Sequence, residues 1–207
     1  MLIVNRLSAA LRIADDAAMA TTRRADMFID LADDPRETGP TLGDERTTLV
    51  EQMRCARITL EMKCEGLDAS AMAQRAVPPS TMSLLGLVRH LAEMERATFR
   101  EMMAGQDVPK LYCSDTDRDA DFDGAVADPA VVAQAWAAWR AEVAFAERFV
   151  AEAESLDITG DDPLNKHGSG GGLMSLRETL IGMIWEYARH LGHADLLRER
   201  IDGRIGQ

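Results

Sequence analysis

Residues 175–200, SLRETLIGMIWEYARHLGHADLLRER, decide the fold. Leu176, Leu180, Met183, Tyr187, His190, Ala194 and Leu197 recur every three or four positions, the interval that places side chains on one face of an α-helix. Ser175 with Glu178 three residues later is a capping box, which satisfies orphan N–H groups at a helix start. His190 stands inside the apolar stripe. Glu186 lies one turn before it on the same face, and His193 extends that face beyond it. A stripe of this kind has to be buried against something, and no segment of the chain alternates as a strand should. The partners must therefore be helices.

Three further periodic segments supply them. A first helix spans about residues 42–66, with Leu49, Met53, Ala56 and Leu60 on its inner face. Asp68 caps a short turn that ends before Val77-Pro78-Pro79, since a residue preceding proline avoids helical geometry. A second long helix starts near Ser80 or Thr81 and ends at Gly105, a good C-cap. Its stripe is Leu84, Leu87, Leu91, Met94, Thr98 and Met102, and His90 sits at the stripe's edge. Asp128-Pro129 opens a third helix, with aspartate as N-cap and proline at the first helical position. Val132, Trp136, Trp139, Val143, Ala146 and Val150 form its inner face. The class is all-α, a four-helix bundle with a long acidic loop between the second and third helices.

The chain has 207 residues, enough for one well-cored domain. Residues 1–40 read as an N-terminal extension, interrupted by acids and by Pro35 and Pro40, and residues 41–207 as the bundle domain. The opening MLIV, with Ala18-Met19-Ala20 further on, imitates a signal peptide, but Arg6, Arg12, Asp15 and Asp16 break the apolar run that one needs. Met27 is the preferred start, and deleting residues 1–26 is expected to leave stability unchanged. A net charge of −12 excludes nucleic acid, whose phosphates need clustered lysine and arginine, and disfavours anionic membranes. Three scattered cysteines, Cys55, Cys64 and Cys113, fit a reduced, cytoplasmic protein.

His90, Glu186 and His190 are the chemistry of the chain. If the second and last helices pack together, two imidazoles and a carboxylate meet, a ligand mix suited to a borderline divalent ion with an open coordination position. The ordinary alternatives are a hydrogen-bonded core histidine, or a Glu186 paired with Arg189 or Arg177. His193 is assigned to the second shell, or to a fourth ligand position. Asp119-Ala120-Asp121-Phe122-Asp123-Gly124 resembles the start of a calcium loop. Its twelfth position is Ala130 where a bidentate glutamate belongs, so these acids read as a solvated connection. Leu111, Tyr112 and Phe122 could still anchor that connection over one end of the bundle. Gly168–Gly172 lacks the flanking strand and Lys-Ser/Thr of a phosphate loop, and His167 beside it reads as idle. Cys55 and Cys64 read as packing thiols, with no sequence neighbour to activate them.

VPPSTMSLLGLVRHLAEMER, YCSDTDRDADFDG and SLRETLIGMIWEYARHLGHADLLRERIDG together resemble the DinB-like helix-bundle superfamily. More narrowly they are similar to its actinobacterial mini-circle branch, related to the mycothiol-dependent maleylpyruvate isomerase. The likeness covers about residues 40–205. It implies a bundle holding a divalent metal, zinc first, with nickel or another ion as alternatives, at positions matching His90, Glu186 and His190. It also implies a small-molecule substrate and a low-molecular-weight thiol for a metal-dependent S-transferase or isomerase. A homodimer is left open as the assembly. No residue matches a thiol-binding motif. The competing reading is a non-catalytic metal-binding bundle with a structural or regulatory role.

Overall fold

The computed structural model describes residues 28–162 and 171–206. Four long helices carry the molecule: α1 (Glu45–Cys64), α3 (Leu84–Glu95), α5 (Pro129–Glu152) and α6 (Leu176–Asp202). Two short ones, α2 (Ala69–Met72) and α4 (Ala120–Asp123), lie in the connections. The starts follow side-chain capping. Asp44, Asp68, Ser83, Asp128 and Ser175 each accept a backbone N–H of the first turn, as such residues do. The second long helix therefore starts at Leu84, a few residues later than Ser80 or Thr81.

In the bundle α1 packs along α6, α3 packs along α5, and α3 also meets α6. The last helix buries Leu176, Leu180, Met183, Tyr187, Ala194 and Leu197, the face that the periodicity marks. α5 turns slightly from its expected face and buries Ala135, Trp139, Glu142, Ala146 and Val150. The added member, Glu142, accepts hydrogen bonds from Arg96 and Arg100. That pairing is what allows a buried carboxylate.

α3 continues from Arg96 to Met103 as a π-helix. The wider turn absorbs an additional residue per hydrogen-bonded loop and shifts the phase of everything after it. Phe99 and Met103 are buried where a regular helix would have buried Thr98 and Met102. A second departure is a small antiparallel hairpin, β1 (Thr159–Asp161) with β2 (Leu173–Ser175). Strands of three residues are too short to show alternation. Gly171 and Gly172, at φ of 63° and 92°, turn the chain into β2, positions that side chains rarely tolerate. His167, Gly168 and Gly170 lie outside the described residues, as do residues 1–27.

Residues before α1 run beside that helix. Phe28 is buried against the cations of Lys63, Arg198 and Arg204, and Arg36 reaches Thr59. Among the described residues no helix is long and apolar enough to cross a membrane.

Candidate metal centre

α3 and α6 present His90, Glu186 and His190 to one another. One oxygen of Glu186, Oε1, lies 2.9 Å from His90 Nε2 and 3.1 Å from His190 Nε2. The three ligand atoms all fall within 4.8 Å of one another. Glu186 and His190 meet because they are four residues apart on α6, and His90 joins them across the helix pair. Their side chains keep 15–24 % of their surface, so the cluster is held firmly yet is open to small molecules.

Each imidazole is also held from behind. His90 Nδ1 donates to Asp121 Oδ2 at 2.7 Å, and the Phe122 ring stacks on the imidazole with centroids 4.9 Å apart. The Nδ1 of His190 faces the Nδ1 of His193 at 3.4 Å. His193 thus stands on the far nitrogen of His190 and outside the converging set.

Burial works against charge on His90, but its hydrogen bonds to Asp121 and Glu186 prevail and raise its pKa to about 9. The bonds from His190 and His90 hold the Glu186 carboxyl far below the ordinary range. His193 is shifted the other way, by burial and by the neighbouring His190 and Arg189, which favours its neutral form. The outcome is an anionic oxygen between two imidazoles, one of them backed by a second carboxylate.

Asp121 is the residue that the sequence reading missed. The acids of 119–123 are not a uniformly solvated connection: the chain forms α4 there, and Asp121 is 3 % exposed. Neighbours on α3 dock the connection. Arg89 donates to the carbonyls of Asp121 and Ala120 and stacks on Tyr112, while Glu93 accepts the N–H groups of Leu111, Tyr112 and Cys113. Gly86 makes room, because a Cβ there would meet the Phe122 ring at 2.9 Å. The anchoring role of Leu111, Tyr112 and Phe122 was legible. The partners that bury Asp121 lie some thirty residues away, and only the apolar residues of the connection hint at docking.

Cys64 is buried, and burial pushes its thiol up to about 12; burial also raises Cys55. Neither is an activated nucleophile. A cleft of about 510 Å³ lies between α1 and α5, lined by Met53, Arg57, Ala146 and Val150 among others, and shares no residue with the triad. The chemistry is concentrated at the α3–α6 edge.

Four long helices packed as a bundle place the chain in the DinB-like class. Within it, the chain matches the mycothiol-S-transferase family over residues 48–203 and belongs to that family. All three residues of the cluster fall inside that span. No curated protein matches the chain with significance.

Proposed function

We propose that His90, Glu186 and His190 hold a divalent metal ion, zinc in the first instance, and that the protein transfers a low-molecular-weight thiol, mycothiol by family, to an electrophilic acceptor. The observation that carries the reading is the convergence of His90 Nε2, Glu186 Oε1 and His190 Nε2 at a partly exposed site. The donor set fits such an ion: two imidazole nitrogens, with an ion displacing the Nε2 proton of His90, and one carboxylate oxygen suit zinc or nickel and leave a coordination position free. A bound ion would lower the pKa of a thiol placed beside it, so that sulfur is nucleophilic near neutral pH.

The protein's own residues do the holding. Asp121 and His193 fix the far nitrogens of the two imidazoles, which leaves each Nε2 facing inward. Glu186, held as a carboxylate by both rings, supplies the negative charge that a divalent ion needs. The docked connection of residues 106–128 covers the α3 side of the site through Phe122 and shields that face of His90 from water. In the reaction the S–H bond of the thiol breaks, sulfur bonds to the acceptor, and the proton and the acceptor's leaving group depart. A second outcome at the same site is isomerisation: the thiol adds to an unsaturated substrate, the adduct rotates about the bond that has become single, and the C–S bond breaks again to release the isomer and the thiol.

The test pairs metal analysis with turnover. Purified protein should retain about one zinc or nickel per chain. His190→Ala should lose both the ion and thiol transfer in a panel of electrophiles, whereas Cys55→Ser and Cys64→Ser should keep both. Full turnover in metal-free His190→Ala protein would refute the assignment. A loaded wild type that transfers none of the thiols would leave a binding bundle in place of an enzyme.

A further inference from the structure

We infer that Asp121 is a positioning residue, which fixes the ring and the tautomer of His90 and so couples docking of the acidic connection to metal binding. The inference rests on the triad holding a divalent ion, and adds a fourth residue from a different element.

Asp121 is bound through both carboxylate oxygens. Oδ2 accepts from His90 Nδ1 at 2.7 Å, and Oδ1 accepts from the backbone N–H of Phe122 at 2.9 Å. The residue's own carbonyl accepts from Arg89 Nε at 2.7 Å. A residue held through both carboxylate oxygens and its backbone carbonyl, and 3 % exposed, cannot swing away from the imidazole without breaking the dock of the whole segment. Burying such a group is costly unless it is fully paired, so its placement against a histidine is a specific arrangement.

The geometry decides which nitrogen of His90 is available. With the Nδ1 proton committed to Asp121, Nε2, the atom that faces Glu186 and His190, is the nitrogen that gives up its proton and offers a lone pair when an ion enters. The Phe122 ring, stacked at an interplanar angle of 26°, restricts rotation of the imidazole. His190 has the weaker support of an imidazole at 3.4 Å. Loss of the Asp121 carboxylate should therefore cost more than loss of His193.

Coupling follows by linkage. If the docked connection strengthens ion binding, the bound ion must strengthen docking by the same factor. Two readouts result, neither of which requires turnover: zinc affinity, and protection of residues 106–125 against hydrogen exchange.

The experiment titrates zinc into metal-free wild type, Asp121→Asn, Glu93→Gln and His190→Ala, each checked for melting temperature. Asp121→Asn is expected to bind about 10–100-fold more weakly than wild type, and zinc should slow exchange in residues 106–125 of the wild type far more than in this variant. Glu93→Gln loosens the dock but keeps the Asp121 carboxylate, so by the coupling it should weaken zinc binding, though by less than Asp121→Asn. Wild-type affinity in Asp121→Asn overturns a role for the carboxylate, and wild-type affinity in Glu93→Gln despite faster exchange in residues 106–125 overturns the coupling. His190→Ala separates the two readings. A wild type that binds no zinc removes the triad assignment and this inference with it, whereas zinc binding that is lost in His190→Ala and unchanged in Asp121→Asn removes only the role of Asp121. Should Asp121→Asn fail to fold, imidazole nitrogen spectra of the zinc-loaded wild type decide the matter: His90 must carry its proton on Nδ1 and the ion on Nε2. The reverse pattern overturns the inference.

Discussion

At the scale of single residues, polar contacts decide what each group can do. Cys64 is buried with its thiol pushed up to about 12, so it stays protonated near neutral pH. Iodoacetamide near neutral pH is expected to leave Cys64 unlabelled in the folded protein and to label it on unfolding, read as a mass increment on its peptide. Rapid labelling of folded protein at Cys64 would contradict its burial. The same scale shows why part of the site was legible. Glu186 and His190 meet through a local rule, four residues along one helix, and His90 could be placed at its stripe's edge from the apolar residues around it. Asp121 could not be placed that way. Its burial depends on Arg89 and Glu93 docking a segment far along the chain, and sequence alone shows only an acid among acids.

Among the elements, the connection between α3 and α5 behaves as part of the site. Glu93 gathers three N–H groups from residues 111–113, and hydrogen bonds to a charged group contribute about 1.5–3 kcal/mol each where water is excluded. Glu93→Ala is expected to release the connection, with protease cleavage within residues 106–125 that the wild type resists. Gly86→Ala should act from the other side, since its methyl group would press on Phe122. Loosened stacking on His90 should appear as a shifted imidazole resonance at an almost unchanged melting temperature. The helix boundaries came close to expectation wherever an Asp or Ser cap announced them. The buried face departed from expectation over residues 96–103, because a π-turn has no sequence pattern that distinguishes it from an ordinary helical one.

For the molecule as a whole, a buried polar junction joins all four long helices. Arg57 of α1 donates twice to Glu95 of α3, Tyr187 of α6 donates to the same carboxylate, and Trp139 of α5 donates to the Tyr187 hydroxyl. Glu95 and Tyr187 are fully buried. Removing one partner leaves a charge unpaired in the core, so Arg57→Ala is expected to cost about 3–5 kcal/mol. Tyr187→Phe, which removes one hydroxyl and strands one indole N–H, should cost about 1–3 kcal/mol. Denaturant midpoints at constant slope check both, and equal losses would show that charge is not the dominant quantity. The all-α class followed from periodicity, because long amphipathic stripes have a single packing solution. This junction was not legible, since arginine and glutamate ordinarily face solvent, although Arg57 lies between Met53 and Leu60 at helical spacing and Glu95 one turn after Leu91.

The π-turn between Arg96 and Met103 also makes a prediction about descent. A wider turn that shifts the phase of a helix by one residue is what a one-codon insertion leaves behind when the flanking helix cannot be re-registered. Here the flanks are pinned, by His90 and Glu95 before the turn and by the hairpin against Met102 and Met103 after it. Family members should therefore fall into two lineages, one with the additional residue and a Phe99-like core contact, and one a residue shorter that buries the Thr98 position instead.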